Sequence, residues 1–169
     1  AIFDAYDHYL RGLAGIYHGT KECLDGALRH LYMAIDLDPH FASAYATAAW
    51  CYVRRKTNGW VCDRAFENAE TDRLTRRAVE LGADDAVALC EAGFARAFVL
   101  NELDAGAALI DRALSINPNL ASAWQASGLV RNYLCEPIVA LDHLGHAMRL
   151  SPLDPLLTGL QSGTALAYF

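Results

Sequence analysis

A fixed spacing of 34 residues separates two copies of one short pattern in the last third of this chain. Ile110 and Leu144, Ala113 and Ala147, and Pro118 and Pro152 each stand 34 apart, and ALSINP before the first proline answers to AMRLSP before the second. Ala140 falls opposite Gly106, small for small. Small–bulky–Ala at spacings of four and three puts three side chains on one helix face, and a proline five residues further on cannot enter that helix and closes it. The same spacing recurs near the start as Ala27, Leu31, Ala34 and Pro39. A period of this length belongs to arrays of stacked helical hairpins, because one hairpin cannot bury its apolar stripe alone.

The fullest copy runs from Trp124 to Pro152 as two short amphipathic helices joined at Glu136-Pro137. An aromatic opening, small residues at Ser127-Gly128 where the helices would cross, Ala140–Leu144–Ala147 and a closing proline together resemble a tetratricopeptide (TPR) repeat. Ser127 stands where leucine is usual and Arg131 where tyrosine is usual. That resemblance implies an all-α, TPR-like superhelix: a right-handed solenoid of antiparallel hairpins forming one domain over residues 1–169. Its units would span about 4–39, 41–82, 84–118 and 119–152, followed by a terminal helix over 155–169 that is either a cap or half of a fifth unit. Gly12 is the expected crossing residue of the first unit, whose inter-helix connection is about three residues longer than in the last. The second unit is irregular. Ala34 to Ala78 is 44 residues rather than 34, and the ten extra are expected in the inter-helix loop and a lengthened second helix. Gly82 is its expected C-cap, and Asp84-Asp85 the N-cap region of the next helix.

Composition narrows function mainly by exclusion. An apolar share of 54% with only 5 prolines fits a packed Ala-rich helical chain rather than a disordered one. The net charge of −6 argues against a general nucleic-acid surface, which needs concentrated Lys and Arg. Apolar runs such as 41–53 are too short to span a bilayer, and the acidic start AIFDAYDHYL has no basic leader. Five cysteines, an odd count without a Cys-x-x-Cys pair, read as reduced thiols of a cytoplasmic protein. A first residue of Ala rather than Met suggests a piece of something longer.

The sequence offers little chemistry. His143 and His146, beside Asp142, could make half a metal site, but a solvated helix face explains them as well. Asp84-Asp85 is explained by capping. No phosphate-binding glycine loop and no nucleophile motif occurs. The expectation is therefore no catalytic residue, no cofactor and no metal.

What such arrays present is the inner face of their first helices. On that pattern the inward residues are Tyr9, Leu13 and Tyr17, then Trp50 and Arg54, then Phe94 and Phe98, and finally Gln125, Leu129, Asn132 and Tyr133. This is an aromatic and apolar groove, suited to an amphipathic helix or apolar segment of a partner protein. Only Asn132 and Arg54 could grip a C-terminal carboxylate. The stretch RRKTNGWVCD, with Arg54, Arg55 and Lys56 near Trp60, could form a basic-aromatic docking patch. The preferred alternative is a surface loop whose Trp60 tucks back onto the solenoid.

The phrases AYDHYLRGL, AIDLDPHFASAYATAAWCYV, LSINPNLASAWQASGLVRNYLCEP and HAMRLSPLDP resemble the C-terminal TPR-like region of bacterial proteins with an N-terminal class III adenylate/guanylate cyclase domain. The resemblance implies a regulatory, partner-sensing region in cyclic nucleotide signalling, with catalysis located elsewhere in the parent. Two alternatives stand beside it: a homo-oligomerisation element bringing two such chains together, and the sensor array of a winged-helix transcriptional regulator.

Overall fold

The computed structural model describes residues 2–152 and 163–168. It contains α1 (Ile2–Tyr17), α2 (Lys21–Leu37), α3 (Ala42–Thr57), α4 (Arg64–Leu81), α5 (Ala86–Leu100), α6 (Leu103–Ile116), α7 (Ala121–Tyr133) and α8 (Pro137–Leu150). Residues 163–167 are also helical, whereas most of the terminal helix expected over 155–169 lies outside the described residues. No strand occurs among the described residues, and none of their helices is long and apolar enough to cross a membrane.

Local chemistry sets the helix ends. Thr20, Asp63 and Asp85 accept hydrogen bonds from backbone N–H groups at the starts of α2, α4 and α5, satisfying donors that have no intrahelical partner. Asp85 is thus the cap in the Asp84-Asp85 pair. Pro137 opens α8, where a missing N–H costs nothing. Three helices end on a residue preceding a proline, which disfavours helical backbone there. Asp38, Asn117 and Ser151 accordingly take nearly one conformation, with φ of −137, −133 and −140°. Gly82 caps α4 with φ −108°, so left-handed freedom is not why glycine sits there. Space is the reason: a Cβ would stand 2.9 Å from Ala78 O and 3.0 Å from Ala42 Cβ.

Consecutive helices pack as hairpins, α1 on α2, α3 on α4, α5 on α6 and α7 on α8, and the first helices stack in turn, α3 on α5 and α5 on α7. The repeating stripe fills each hairpin interface. Ala27, Leu31 and Ala34, then Ile110 and Ala113, then Ala140, Leu144 and Ala147 are all at most 2% exposed. At the crossings a glycine admits the facing helix. A Cβ on Gly12 would come within 2.8 Å of Leu31 Cγ, and one on Gly128 within 2.5 Å of Leu144 Cγ. The α5–α6 crossing is tighter still, with backbone against backbone. A Cβ on Gly93 would stand 2.7 Å from Gly106 O, and one on Gly106 2.5 Å from Gly93 O.

The irregular hairpin keeps this design in other residues. Its stripe is Thr71, Thr75 and Ala78, each fully buried. Each threonine hydroxyl donates to the carbonyl one turn back, Thr71 to Glu67 O at 2.7 Å and Thr75 to Thr71 O at 2.8 Å, so neither buried hydroxyl is stranded. Its ten extra residues divide among three places, not two. Measured against α7–α8, α3 is longer by 3 (16−13), the connection 58–63 by 3 (6−3) and α4 by 4 (18−14). In the first hairpin, likewise, the extra residues are helical. Its connection, 18–20, is as short as 134–136, and the added length lies at the start of α2.

Candidate interaction groove

The inner faces of α1, α3, α5 and α7 enclose a groove with a cavity volume of about 430 Å³. Leu13, Ile16 and Tyr17 come from α1; Thr47, Trp50 and Arg54 from α3; Val87, Cys90, Glu91 and Phe94 from α5; Ser122, Gln125, Ala126 and Leu129 from α7. The spacings within each set, such as 47–50–54 and 87–91–94, are those of one helix face. Of the residues expected inward, Tyr17, Trp50, Arg54, Phe94, Gln125 and Leu129 line this groove, as does Leu13.

Four others lie elsewhere. Phe98 and Tyr133 continue the aromatic surface beyond the cavity: Phe98 packs 4.3 Å from Phe94 and meets Tyr133 edge-on at 5.1 Å. Tyr9 packs on Phe41, at 4.9 Å between ring centres. Asn132 is spent on the chain itself, donating from Nδ2 to Gly163 O at 2.8 Å. That removes one of the two residues expected to grip a carboxylate, and it leaves Arg54, held over the Trp50 ring at 5.4 Å.

Two polar wall residues, Thr47 and Glu91, escape a reading of the inner face built on aromatic and aliphatic side chains. Thr47 is buried and donates from Oγ1 to Glu91 Oε2 at 2.8 Å. Glu91 keeps some contact with solvent through the groove mouth, while protein crowds its carboxyl on the other sides. This desolvation pushes its pKa up to about 7, with the Thr47 hydrogen bond opposing the rise and Asp85 adding to it. Tyr9 is pushed upward too, first by burial and then by Glu91 and Asp85, against the effect of Thr47. The helical spacing Val87–Glu91–Phe94 is the signal that could have placed Glu91 here.

The basic stretch does not act as one patch. Arg54 enters the groove, Arg55 lies 3.3 Å from Glu67 and 3.7 Å from Asp25, and Lys56 donates to Val99 O at 3.3 Å. Trp60 packs against the main core, the tucked-back arrangement. His143 and His146 flank Trp124, at 4.9 and 4.4 Å between ring centres. Nδ1 of His143 is hydrogen-bonded to Ser127 Oγ at 2.9 Å, and burial lowers this histidine's pKa. Among the described residues no three His, Cys, Asp or Glu side chains are grouped to hold a metal.

No family model and no curated protein matches this chain. Solved structures do. The thermophilic TPR protein TTC0263 of Thermus thermophilus superposes with a TM-score of 0.76 at 18% identity, over 98% of this chain and 81% of that one. PilF of Pseudomonas aeruginosa gives 0.66 at 18% identity, over 98% and 75%. The first TPR of Spaghetti (RPAP3), bound to the HSP90 peptide SRMEEVD, gives 0.61 at 21% identity, over 80% and 96%. The fold is the TPR-like α–α superhelix.

Proposed function

We propose that this chain is a non-catalytic protein-interaction module whose working surface is the groove between α1, α3, α5 and α7. The observation that carries this reading is the groove itself: four helices turn Leu13, Ile16, Trp50, Phe94 and Leu129 into one concavity that the chain's own described residues leave open. An apolar concavity with a few convergent polar groups is the usual form of a binding site. A TPR array of similar fold is bound to a peptide in the same architectural class. We further propose, from the phrase-level resemblance, that the module belongs to the regulatory region of a class III cyclase-like signalling protein in the cytoplasm, an oxidation state of five free thiols being compatible with that compartment. In this reading the four hairpins form one domain with repeats near the expected boundaries.

The test is selection of random displayed peptides against the chain, followed by F94A and W50A. Retained helical content with at least about tenfold weaker binding, the equivalent of roughly 1.4 kcal/mol, supports the groove. Unchanged binding by both variants removes it. Cyclic nucleotide formation by the full-length protein tests the proposed parent.

One observation favours self-association as a second reading. Phe3, Tyr6 and Leu10 form an exposed apolar stripe on α1, with Phe3 90% exposed. A dimer that sediments as monomer after F3E supports it, and a monomer at every concentration ends it.

A further inference from the structure

Glu91 departs from the way this chain treats three other covered carboxylates, each of which has an arginine against it. Glu67 lies against Arg55, Glu70 accepts two hydrogen bonds from Arg73, and Asp72 is held by Arg76 and Arg96. Glu91 is set in an apolar groove with one neutral donor, the Thr47 hydroxyl, and among the described residues no Lys, Arg or His forms an ion pair with it. A partly desolvated carboxylate without a cation is costly, and the cost falls when a positive group reaches it. The groove's own cation does not serve: Arg54 lies over Trp50.

Resting on the groove reading above, we propose that the occupant is an apolar segment carrying one lysine or arginine, whose cation seats on the Glu91 carboxylate beside Thr47. Charge complementarity selects this occupant over an acidic one, which would bring like charge to Glu91. The apolar flanks of the segment would lie against Trp50, Phe94 and Leu129, and its basic head would enter between α3 and α5.

The groups facing Glu91 show what else could answer a change of pH there. They are the Tyr9 phenol from α1, Thr47, Arg54 and the buried Cys51 thiol from α3, Asp85 and the Cys90 thiol from α5, and uncharged Ser122 and Gln125 from α7. Burial pushes both thiols upward, Cys90 to about 12, so neither they nor the phenol titrate near neutrality. With Glu91 part-protonated near its raised pKa of about 7, arrival of a cation drives a proton from its carboxyl into solvent.

Selection of random displayed peptides is run in parallel on the full chain and on E91Q, which keeps side-chain size and an acceptor for Thr47. Selected peptides are then titrated calorimetrically at about pH 7 in phosphate and in Tris. The expected result has three parts: Lys or Arg enriched among apolar residues on the wild type, at least about tenfold weaker binding of those peptides to E91Q, and proton release on binding to the wild type but not to E91Q. Peptides that lose binding in F94A but show no basic enrichment, or that bind E91Q equally well without proton release, overturn this inference and leave the groove intact. Peptides insensitive to F94A and W50A, or none recovered, overturn the groove reading and this inference with it.

Discussion

Glycine has opposite energetic meanings at different points of this chain, and the facing atom decides the sign. At Gly93 the nearest neighbour is the Gly106 carbonyl, a backbone atom that cannot turn aside. G93A is expected to lower unfolding stability by about 1–3 kcal/mol, the range for forced overpacking. Gly26 lies within α2, and a Cβ there would meet only Arg29 Nη2, at 3.7 Å. G26A is therefore expected to raise stability by about 0.5–1 kcal/mol through a less flexible unfolded chain and better helix propensity. Urea midpoints of the two variants check both signs, and a stabilised G93A would contradict the tight crossing. The inner-face pattern made Trp50, Phe94 and Leu129 legible from sequence because apolar residues at helical spacing announce a face. Glu91 shares that face, yet a lone acid among apolar residues reads as a break in the stripe until its neighbours are known. Asn132 could not be read correctly at all, since its partner Gly163 is 31 residues away and reached only by the folded chain.

At the scale of elements, the first hairpin carries an electrostatic clasp. His8 on α1 and His30 on α2 approach at 2.9 Å between Nδ1 atoms, an arrangement that needs one ring to donate and the other to accept. Burial lowers the His30 pKa, and His8, Arg11 and Arg29 lower it further. A histidine lowered in the folded state binds protons more readily in the unfolded state. Its contribution is therefore present above the unfolded value of about 6.5 and is lost as pH falls through the folded one. Glu91, raised to about 7, acts in the opposite sense over the same window, so the reading is a difference: the urea midpoint of the wild type relative to that of H30Q is expected to fall between about pH 7.5 and 5.5. An unchanged slope in H30Q would assign the dependence to other groups. Element lengths were only partly legible: a count of 44 residues reveals ten extra, but not that α3 and α4 absorb seven of them (3+4) as helix. The basic run misled for a related reason. Once α3 continues to Thr57, Arg54, Arg55 and Lys56 point about 100° apart and meet three different surroundings.

For the whole molecule, the 34-residue period was enough to specify the class, because stacking is the only way identical amphipathic hairpins bury their stripes. Period alone does not tell where the stack is strongest. Among the described residues the largest core joins α1, α2, α3, α4 and α5, whereas that of the last hairpin centres on Leu144 and Ala147 with Trp124, Leu129 and Met148 around them. Local opening is easiest where few buried contacts hold. Amides of α8 are expected to exchange with solvent sooner than those of α3 in native-state hydrogen exchange, and α8 outlasting α3 would contradict this distribution.

The groove wall includes α1 at one end and α7 at the other, helices from the first and last of four stacked hairpins. Its width is thus not a property of any one interface. It is the running total of small rotations between successive hairpins, as the gap of a coil spring is the total of its pitch. Anything seated across it works as a strut, holding α1 and α7 at one separation and fixing the twist of everything between them. Whatever is joined to the two ends would then be held at one relative orientation for as long as the groove is filled.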